Sequence, residues 1–167
     1  MSAPQVTAEG EAGKALAFLL RSTSARPQTE AELRAKLRAR EVPDEVADEA
    51  LAKARALGAV DDRAFAFAWV EDRGRVRGYG ASRLRQELRR RLVPDAILDE
   101  ALASLEDRDE EDAALELARR RAQRMPADLP PETVARRVMG FLVRRGYPPG
   151  VAQRAVRKAT SLDREWD

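Results

Sequence analysis

A segment of eleven residues occurs twice in this chain at an offset of 51 residues, and this repeat constrains the fold more than any other feature. Residues 42–52 read VPDEVADEALA and residues 93–103 read VPDAILDEALA, so eight of the eleven positions are identical. Upstream, Leu33 and Leu37 are matched by Leu84 and Leu88 at the same offset. Repetition at a fixed period predicts a chain built from tandem structural units of about 50 residues.

A weaker third copy follows 54 residues after the second, where Val138 and Leu142 correspond to Leu84 and Leu88. Each copy contains three stretches whose apolar residues are spaced three and four apart, which is the period of an amphipathic helix. A unit this small buries little core alone, so we expect neighbouring units to support one another. The sequence therefore predicts an all-α fold of three tandem three-helix repeats. The predicted repeats span residues 11–59, 60–107 and 108–162, and the tails at 1–10 and 163–167 are expected to be flexible.

Polar residues and glycines mark where several helices begin and end. Thr29 followed by Glu32 has the spacing of a capping box, and Asp61 has the position of an N-cap. Gly78 and Gly80 are expected to break the fourth helix, because glycine is the usual residue past a helix end.

The few aromatic residues divide into core candidates and one surface candidate. Phe65, Phe67 and Trp69 lie in a helical stretch that is apolar on all sides, so we expect all three in the core. Tyr147 is also expected to pack internally. Tyr79 stands between two glycines, and we expect it to make an exposed contact.

The chain contains neither cysteine nor histidine. Their absence removes disulfides, thiolate nucleophiles, imidazole bases and most zinc sites. No P-loop, glycine-rich cofactor fingerprint or metal-ligand spacing is present in the sequence. We therefore expect no enzymatic activity, no cofactor and no bound metal. No apolar stretch of about 20 residues and no signal-peptide pattern occur, so we expect a cytoplasmic protein without a membrane span.

The net charge is only +2, but charges of each sign are grouped along the chain. Residues 73–91 contain eight arginines and a single acid, Glu87, whereas residues 95–112 contain nine acids and a single base, Arg108. Residues 117–158 contain eleven bases and two acids. Blocks of this kind indicate partners rather than a fold, because basic blocks bind phosphates or acidic protein surfaces.

Three groups of arginines are the candidate binding residues. Arginine is suited to this role because it makes bidentate contacts with carboxylates and phosphates. The alternative is that the first group pairs within the molecule with the acidic run at 95–112. The candidates are Arg73, Arg75, Arg77, Arg83, Arg85, Arg89, Arg90 and Arg91 in the first group, with Tyr79 beside them; Arg119, Arg120, Arg121 and Arg124 in the second; and Arg136, Arg137, Arg144 and Arg145 in the third.

The second unit resembles the RecX family. It begins VDDRAFA at residues 60–66, continues with RGR at 73–75, and then reads G-x-x-RL-x-x-EL from Gly80 to Leu88 before Val93. The first unit adds AL-x-x-LL at 15–20 and EL-x-x-KL at 32–37, so the resemblance covers about 12–159. The chain departs from the family at Leu92, the residue before Val93, where family members often carry a glycine.

The resemblance implies a curved, elongated arrangement of the three repeats and a regulatory, non-enzymatic function. RecX-like proteins lie in the groove of the filament that RecA recombinase forms on single-stranded DNA. They mainly inhibit its ATP hydrolysis, strand exchange and co-protease activity, and many bind single- or double-stranded DNA weakly. By resemblance we expect the RecA filament as partner, weak DNA binding and a monomeric protein.

Two other functions remain open at this stage. In the first alternative, the basic helices contact DNA directly, as helix-turn-helix units do. The chain would then be a sequence-independent DNA-binding protein that acts without the recombinase. It is a helical-repeat adaptor for some other protein if the arginines are only solvated. Dependence on the recombinase separates the first alternative from the RecX-like function, since a plain DNA binder acts alone and with a steep salt dependence.

Overall fold

The computed structural model describes residues 3–105 and 109–160, with side chains described from Gly10 onward. The described residues form nine α-helices, one π-helical turn and no strand, so the predicted all-α class is confirmed. The elements are α1 (Ala3–Ala25), α2 (Glu30–Arg38), α3 (Asp44–Ala56), α4 (Asp62–Val70), the π-helical turn (Glu71–Val76), α5 (Ala81–Arg90), α6 (Asp95–Ala103), α7 (Glu110–Gln123), α8 (Pro131–Arg144) and α9 (Pro149–Thr160).

The helices group as three successive triplets along the chain: α1–α3, α4–α6 and α7–α9 form repeats 1, 2 and 3. By internal contacts the chain divides into two compact units. Unit 1 comprises Met1–Ala66 and Leu88–Leu98, and unit 2 comprises Phe67–Glu87 and Asp99–Asp167. The division passes through repeat 2, because its boundaries lie inside α4, α5 and α6.

The predicted caps at helix starts are present. The Thr29 side chain accepts a hydrogen bond from the Glu32 N–H while the Glu32 side chain accepts one from the Thr29 N–H, which is a complete capping box. The Asp61 carboxylate accepts a hydrogen bond from the Ala64 N–H at 2.8 Å. Such caps satisfy N–H groups that lack a partner within the helix, and each stabilises its helix by about 1 kcal/mol. The local sequence therefore determines where α2 and α4 begin.

In unit 1, α1, α2 and α3 pack around a core of leucine and alanine side chains. Leu19, Leu33, Leu37 and Leu51 are completely buried there. Full burial of one such side chain stabilises the fold by about 2 kcal/mol. The alanines of α1 and α3 allow these two helices to approach closely, because their side chains end at the β carbon.

In unit 2, α7 packs against both α8 and α9. Val138 and Leu142 of α8 are completely buried against alanines of α7 and α9. Tyr147, in the turn between α8 and α9, is 2% exposed, which confirms its predicted packing role. These contacts fix the turn after α8, on which the candidate site depends.

The predicted position of the first helix needs a correction. Helix α1 begins at Ala3, whereas residues 1–10 were expected to form a flexible tail. Alanine, glutamine and glutamate in this stretch favour helix, and Pro4 is tolerated in a first turn, where an N–H has no helical partner. The predicted tail at 163–167 lies outside the described residues, as does 106–108 of the acidic run.

The segment after α4 also differs from the prediction, because it forms a π-helical turn. The Arg77 N–H donates to the carbonyl of Asp72, five residues earlier, at 3.0 Å. Gly74 lies inside this turn, where an added β carbon would be 3.0 Å from Leu105 and 3.1 Å from Leu84. The turn ends at Gly78 with φ 69°, so the predicted glycine break is confirmed although the π form was not predicted.

The aromatic residues of α4 are less buried than predicted. Phe65 is buried, but Phe67 and Trp69 are only half-buried. The reason is that α4 has an exposed side, which carries Ala64 and Ala68. No helix within 3–105 or 109–160 is long and apolar enough to cross a membrane.

Candidate arginine–aromatic interface

Five side chains of unit 2 form a continuous series in which arginines stack on aromatic rings. The guanidinium of Arg83 lies 3.9 Å from the ring centre of Tyr79, and that of Arg145 lies 5.3 Å from the same ring. Arg145 also lies 4.7 Å from the ring centre of Phe141, on which Arg121 stacks at 5.6 Å. We call this series the arginine–aromatic ladder. Each cation–π contact is worth about 0.5–2 kcal/mol depending on its exposure, so the ladder holds its guanidinium groups in defined positions.

The loop that carries Tyr79 is docked on the turn after α8. The Gly80 N–H donates to the carbonyl of Arg145 at 2.8 Å, and the Tyr147 hydroxyl donates to the carbonyl of Gly78 at 3.1 Å. The Arg145 guanidinium donates back to the carbonyl of Arg77. Backbone groups of both segments are thereby satisfied, so Tyr79 and Arg145 are fixed relative to each other.

Two glycines allow this close approach. A β carbon on Gly80 would lie 2.5 Å from the carbonyl oxygen of Gly146, and a β carbon on Gly146 would overlap the Arg83 side chain at its β carbon. The Arg83 guanidinium donates to the carbonyl of Arg144 at 3.0 Å. Any larger residue at either glycine would therefore separate Arg83 and Tyr79 from the α8–α9 turn.

Glu87 fixes the end of the ladder. Its carboxylate accepts hydrogen bonds from Nε of Arg83 at 3.0 Å and from Nε1 of Trp69 at 3.1 Å. It also pairs with Arg73 at 3.4 Å, and the Arg73 guanidinium lies 4.0 Å from the Trp69 ring centre. The Glu87 side chain is only 15% exposed, so this pairing is screened less than a surface ion pair. The single acid in the basic block therefore positions two of the predicted arginines.

Other arginines of the first group are paired inside the molecule, as the alternative interpretation had it. Arg85 pairs with Asp99 at 2.6 Å, and Arg89 pairs with Asp95 at 3.1 Å. The positions 51 residues earlier carry the same two ion pairs, Arg34 with Asp48 and Arg38 with Asp44. Their recurrence at the repeat period indicates that these pairs join the second and third helices of a repeat. All four pairs have at least one exposed member, so each contributes at most about 1 kcal/mol.

The arginines of the π-helical turn are also engaged. Arg75 pairs with Glu71 at 3.1 Å and donates to the carbonyl of Ser104 at 2.7 Å. Arg77 pairs with Asp72 at 3.1 Å. The Arg77 side chain is about half exposed, whereas that of Arg75 is about one third exposed.

Arg91 belongs to a contact within unit 1. Its Nε lies 2.6 Å from the Glu32 carboxylate, and its guanidinium lies 5.1 Å from the ring centre of Phe65. The side chain of Arg91 is 22% exposed. This candidate therefore joins repeat 1 to repeat 2, and most of its side chain is covered.

The second and third groups contain most of the arginines whose charge is not neutralised nearby. Six arginines of these two groups, and Arg90 of the first group, are exposed and make no ion pair in the part of the chain that the structure describes. Arg120 differs, because it pairs with Glu116 at 3.5 Å. The unneutralised residues are Arg119, Arg121 and Arg124 on α7 and Arg136, Arg137 and Arg144 on α8, and we call them the third-repeat arginines.

The ladder connects the predicted groups, and part of it was not foreseen from the sequence. Arg121 comes from the second group, Arg145 from the third, and Arg83 with Tyr79 from the first. Phe141 was not among the candidate residues; it is half-buried and lies between Arg121 and Arg145. Its position four residues before Arg145 was the available signal, because residues four apart in a helix lie on one face.

The geometry suits binding of a polyanion or of an acidic protein surface. Fixed guanidinium groups lose little conformational freedom on binding, and arginine matches both phosphate and carboxylate geometry. Fold and surface together define an all-α tandem-repeat protein whose unit 2 carries exposed arginines beside a series of arginine–aromatic contacts.

Family models match all three repeats of the chain. The first three-helix domain of RecX matches residues 14–53, the second matches 61–102, and the third matches 109–156. Curated relatives named regulatory protein RecX include one from Streptomyces coelicolor, 38% identical over 91% of this chain and 80% of the relative. Another, from Thermobifida fusca, is 41% identical over 87% of this chain and 78% of the relative. The chain belongs to the RecX family.

Solved structures agree with this assignment at the level of the fold. A crystal structure of regulatory protein RecX superposes with a TM-score of 0.73 at 23% identity, covering 90% of this chain and 75% of the other. The crystal structure of RecX from Lactobacillus salivarius superposes with a TM-score of 0.76 at 18% identity, covering 90% of this chain and 97% of the other. The three-helix repeats are therefore shared across sequences that have diverged widely.

Proposed function

We propose that this chain binds RecA filaments on single-stranded DNA and modulates them, chiefly by inhibition. The activities affected are ATP hydrolysis, strand exchange and co-protease action. Membership of the RecX family supports the proposal, since relatives carry the name of a regulatory protein. The protein acts as a cytoplasmic monomer without enzymatic activity of its own, and its DNA contacts are weak.

The arginine–aromatic ladder is the single observation that carries the proposal to particular residues. A filament offers a repeating surface of DNA phosphate and protein, so an interface made of several moderate contacts gains avidity without a deep pocket. The ladder and the third-repeat arginines provide such contacts within one compact unit. Arg121 and Arg145 are held by aromatic rings, and Arg145 also by a backbone carbonyl. Within the described residues, Arg83 is the one ladder arginine that also pairs with a carboxylate, that of Glu87.

The paired arginines have a secondary role in this proposal. Arg85 and Arg89 stabilise repeat 2 through Asp99 and Asp95, and Arg91 holds Glu32 of repeat 1. We infer that substitution of these residues alters stability before it alters binding.

The proposal is tested by ATP hydrolysis of the cognate recombinase on single-stranded DNA, with this protein titrated at a fixed filament concentration. Hydrolysis is expected to fall at protein concentrations well below that of the recombinase, because one bound molecule affects a whole filament segment or its growing end. Sequestration of DNA would need protein in amounts approaching the DNA sites. Inhibition that begins only at that point would contradict the proposal.

Direct DNA binding without the recombinase is the second candidate function. The third-repeat arginines favour it, because exposed arginines without ion pairs are suited to phosphate contacts. Under this alternative, DNA affinity alone would account for inhibition, and inhibition would decline with salt as steeply as DNA binding does.

A further inference from the structure

In repeat 2, Arg91 and Asp62 bind the turn that precedes α2, and we call these two residues the receiving site. The Thr29 hydroxyl donates to the carbonyl of Arg91 at 2.8 Å. Glu32, which completes the Thr29 capping box, accepts a hydrogen bond from a terminal nitrogen of Arg91 at 3.1 Å, and its carboxylate lies 2.6 Å from Arg91 Nε as an ion pair. The Glu30 N–H donates to the Asp62 carboxylate at 2.8 Å. Arg91 and Asp62 of repeat 2 thus bind the capped start of α2 in repeat 1.

The equivalent positions meet again one repeat later. Gly80 follows Thr29 by 51 residues and Arg145 follows Arg91 by 54, which are the two repeat offsets. The Gly80 N–H donates to the carbonyl of Arg145 at 2.8 Å. The carbonyl of this arginine therefore accepts a hydrogen bond from the preceding repeat in both places, although the donor differs.

In repeat 1 the same positions are Glu11 and Arg40, 51 residues before Asp62 and Arg91. The burial pattern supports this register, because Ala15 and Leu19 of α1 are buried as Ala66 and Val70 of α4 are. Glu11 and Arg40 line an open groove of about 540 Å³ in unit 1. This groove corresponds to the receiving site of repeat 2.

No described residue supplies the groove with a capped helix start. The Arg40 guanidinium lies over the Phe18 ring at 4.0 Å and, in contrast to Arg91, pairs with no carboxylate in the described part of the chain. Phe18 and Val42 are among the apolar residues that line the groove. Its charged lining comprises three bases, Lys14, Arg21 and Arg40, and two acids, Glu11 and Glu41. The groove thus retains the recognition groups of the receiving site in an accessible form.

We propose that this groove binds a helix start of another protein that carries a Ser/Thr-x-x-Glu capping box. The hydroxyl of the cap donates to the Arg40 carbonyl, and the glutamate pairs with the Arg40 guanidinium, as Thr29 and Glu32 do at Arg91. The apolar residue that follows the glutamate packs on Phe18 and Val42. This site lies in unit 1 and does not depend on the arginine–aromatic ladder.

A second copy of this chain is a poor occupant. Helix α8 would have to supply its free helix start, but Pro130 is its N-cap and Pro131 is its first residue. Proline has neither an N–H nor a hydroxyl to donate. The position that corresponds to Gly80 is Val134, which lies inside α8. Head-to-tail association would therefore leave the Arg40 carbonyl without its donor.

The probe for this site is a stapled helical peptide with the sequence of residues 26–38, which contains the capping box of Thr29 and Glu32. It is titrated into the ¹⁵N-labelled full chain without DNA or recombinase. Amide shifts are expected at Lys14, Phe18, Arg40 and Val42. A peptide with valine for the threonine and glutamine for the glutamate is expected to bind at least ten-fold more weakly.

Two protein variants give the matched comparison. Arg40→Glu, and Arg40→Gln as a milder form, are expected to weaken peptide binding at least five-fold. Arg38→Glu alters the same helix end outside the groove and is expected to leave the affinity within two-fold. No groove shifts at millimolar peptide, shifts centred on the third-repeat arginines, or equal effects at Arg40 and Arg38 would each overturn the proposal. Because the assay contains no filament, its failure is distinct from failure of the proposed filament function.

Discussion

At the residue scale, Leu92 holds a backbone conformation that favours glycine. Its φ is 57°, and the equivalent positions Glu41 and Gly146 have φ values of 58° and 89°. All three follow the second helix of a repeat, where a left-handed residue closes the helix end. A left-handed leucine costs about 1–2 kcal/mol, so repeats 1 and 2 carry strain that repeat 3 avoids.

Leu92→Gly is therefore expected to stabilise the protein by about 0.5–1 kcal/mol, after the greater entropy of glycine in the unfolded chain is deducted. Little packing is lost, because Leu92 is 62% exposed. Urea unfolding of Leu92→Gly and of Leu92→Ala measures the effect, since alanine removes the same side chain but keeps the strain. Equal stability of the two variants would show that the conformation is not strained.

Asp62 makes stability depend on pH. Burial raises the pKa of Asp62, and the neighbouring acids Glu30, Asp61 and Glu32 add to the effect against the hydrogen bond from the Glu30 N–H. A group with a raised folded-state pKa contributes stability that is present below its unfolded value, about 3.9, and lost as pH rises through the folded value.

Asp62→Asn removes this titration and retains an oxygen that accepts from Glu30. The free energy of unfolding of Asp62→Asn relative to the natural protein is therefore expected to increase from pH 3.5 to pH 6.5. Urea midpoints of both proteins across this range measure the trend. A difference that stays constant or decreases with pH would contradict the assigned direction of the shift.

At the scale of elements, the contact between the Tyr79 loop and the α8–α9 turn depends on Gly146. This residue has φ 89°, and a β carbon there would overlap Arg83. Gly58 provides a matched control, because its φ is 70° but nothing lies within 4 Å of an added β carbon. Both Gly→Ala changes impose left-handed strain, whereas only the change at Gly146 forces the two segments apart.

Gly146→Ala is expected to destabilise the protein by about 1–3 kcal/mol more than Gly58→Ala, which is the usual cost of overpacking. Thermal or urea unfolding of the two variants gives the comparison. Similar losses in both would mean that the loop and the turn separate at little cost, and the ladder would then not be a fixed structure.

How far the sequence predicts these elements depends on whether the cause is local. The capping box at Thr29 and the cap at Asp61 were predicted because their signals lie within a few residues of each other. The π-helical turn was not predicted from the neighbouring residues. Its Gly74 packs closely against Leu84 and Leu105 of other segments. Of the candidate site, the basic groups and Tyr79 were predicted, but the division between paired and unpaired arginines follows from tertiary contacts such as Arg85 with Asp99.

At the scale of the whole molecule, the repeat period explains both stability and recognition. At the equivalent positions Arg91 and Arg145, the backbone carbonyl accepts a hydrogen bond from the preceding repeat. Repeats 2 and 3 are thus each bonded to the repeat before them, as in other repeat proteins. Among the described residues, most of the exposed arginines without an ion pair lie on α7 and α8. This distribution is the reason for proposing repeat 3 as the main surface for the filament.

The most direct test is filament inhibition by a variant that reverses charge on this surface without touching its scaffold. Arg119→Glu with Arg137→Glu changes two exposed arginines that make no ion pair in the described residues. Arg38→Glu with Lys53→Glu makes the same charge change in repeat 1, at two residues in exposed ion pairs. We expect the first variant to need at least ten-fold more protein for half-inhibition of DNA-dependent ATP hydrolysis by the recombinase, and the control less than three-fold more. Equal potency of the two variants would contradict the assignment of the filament interface to repeat 3.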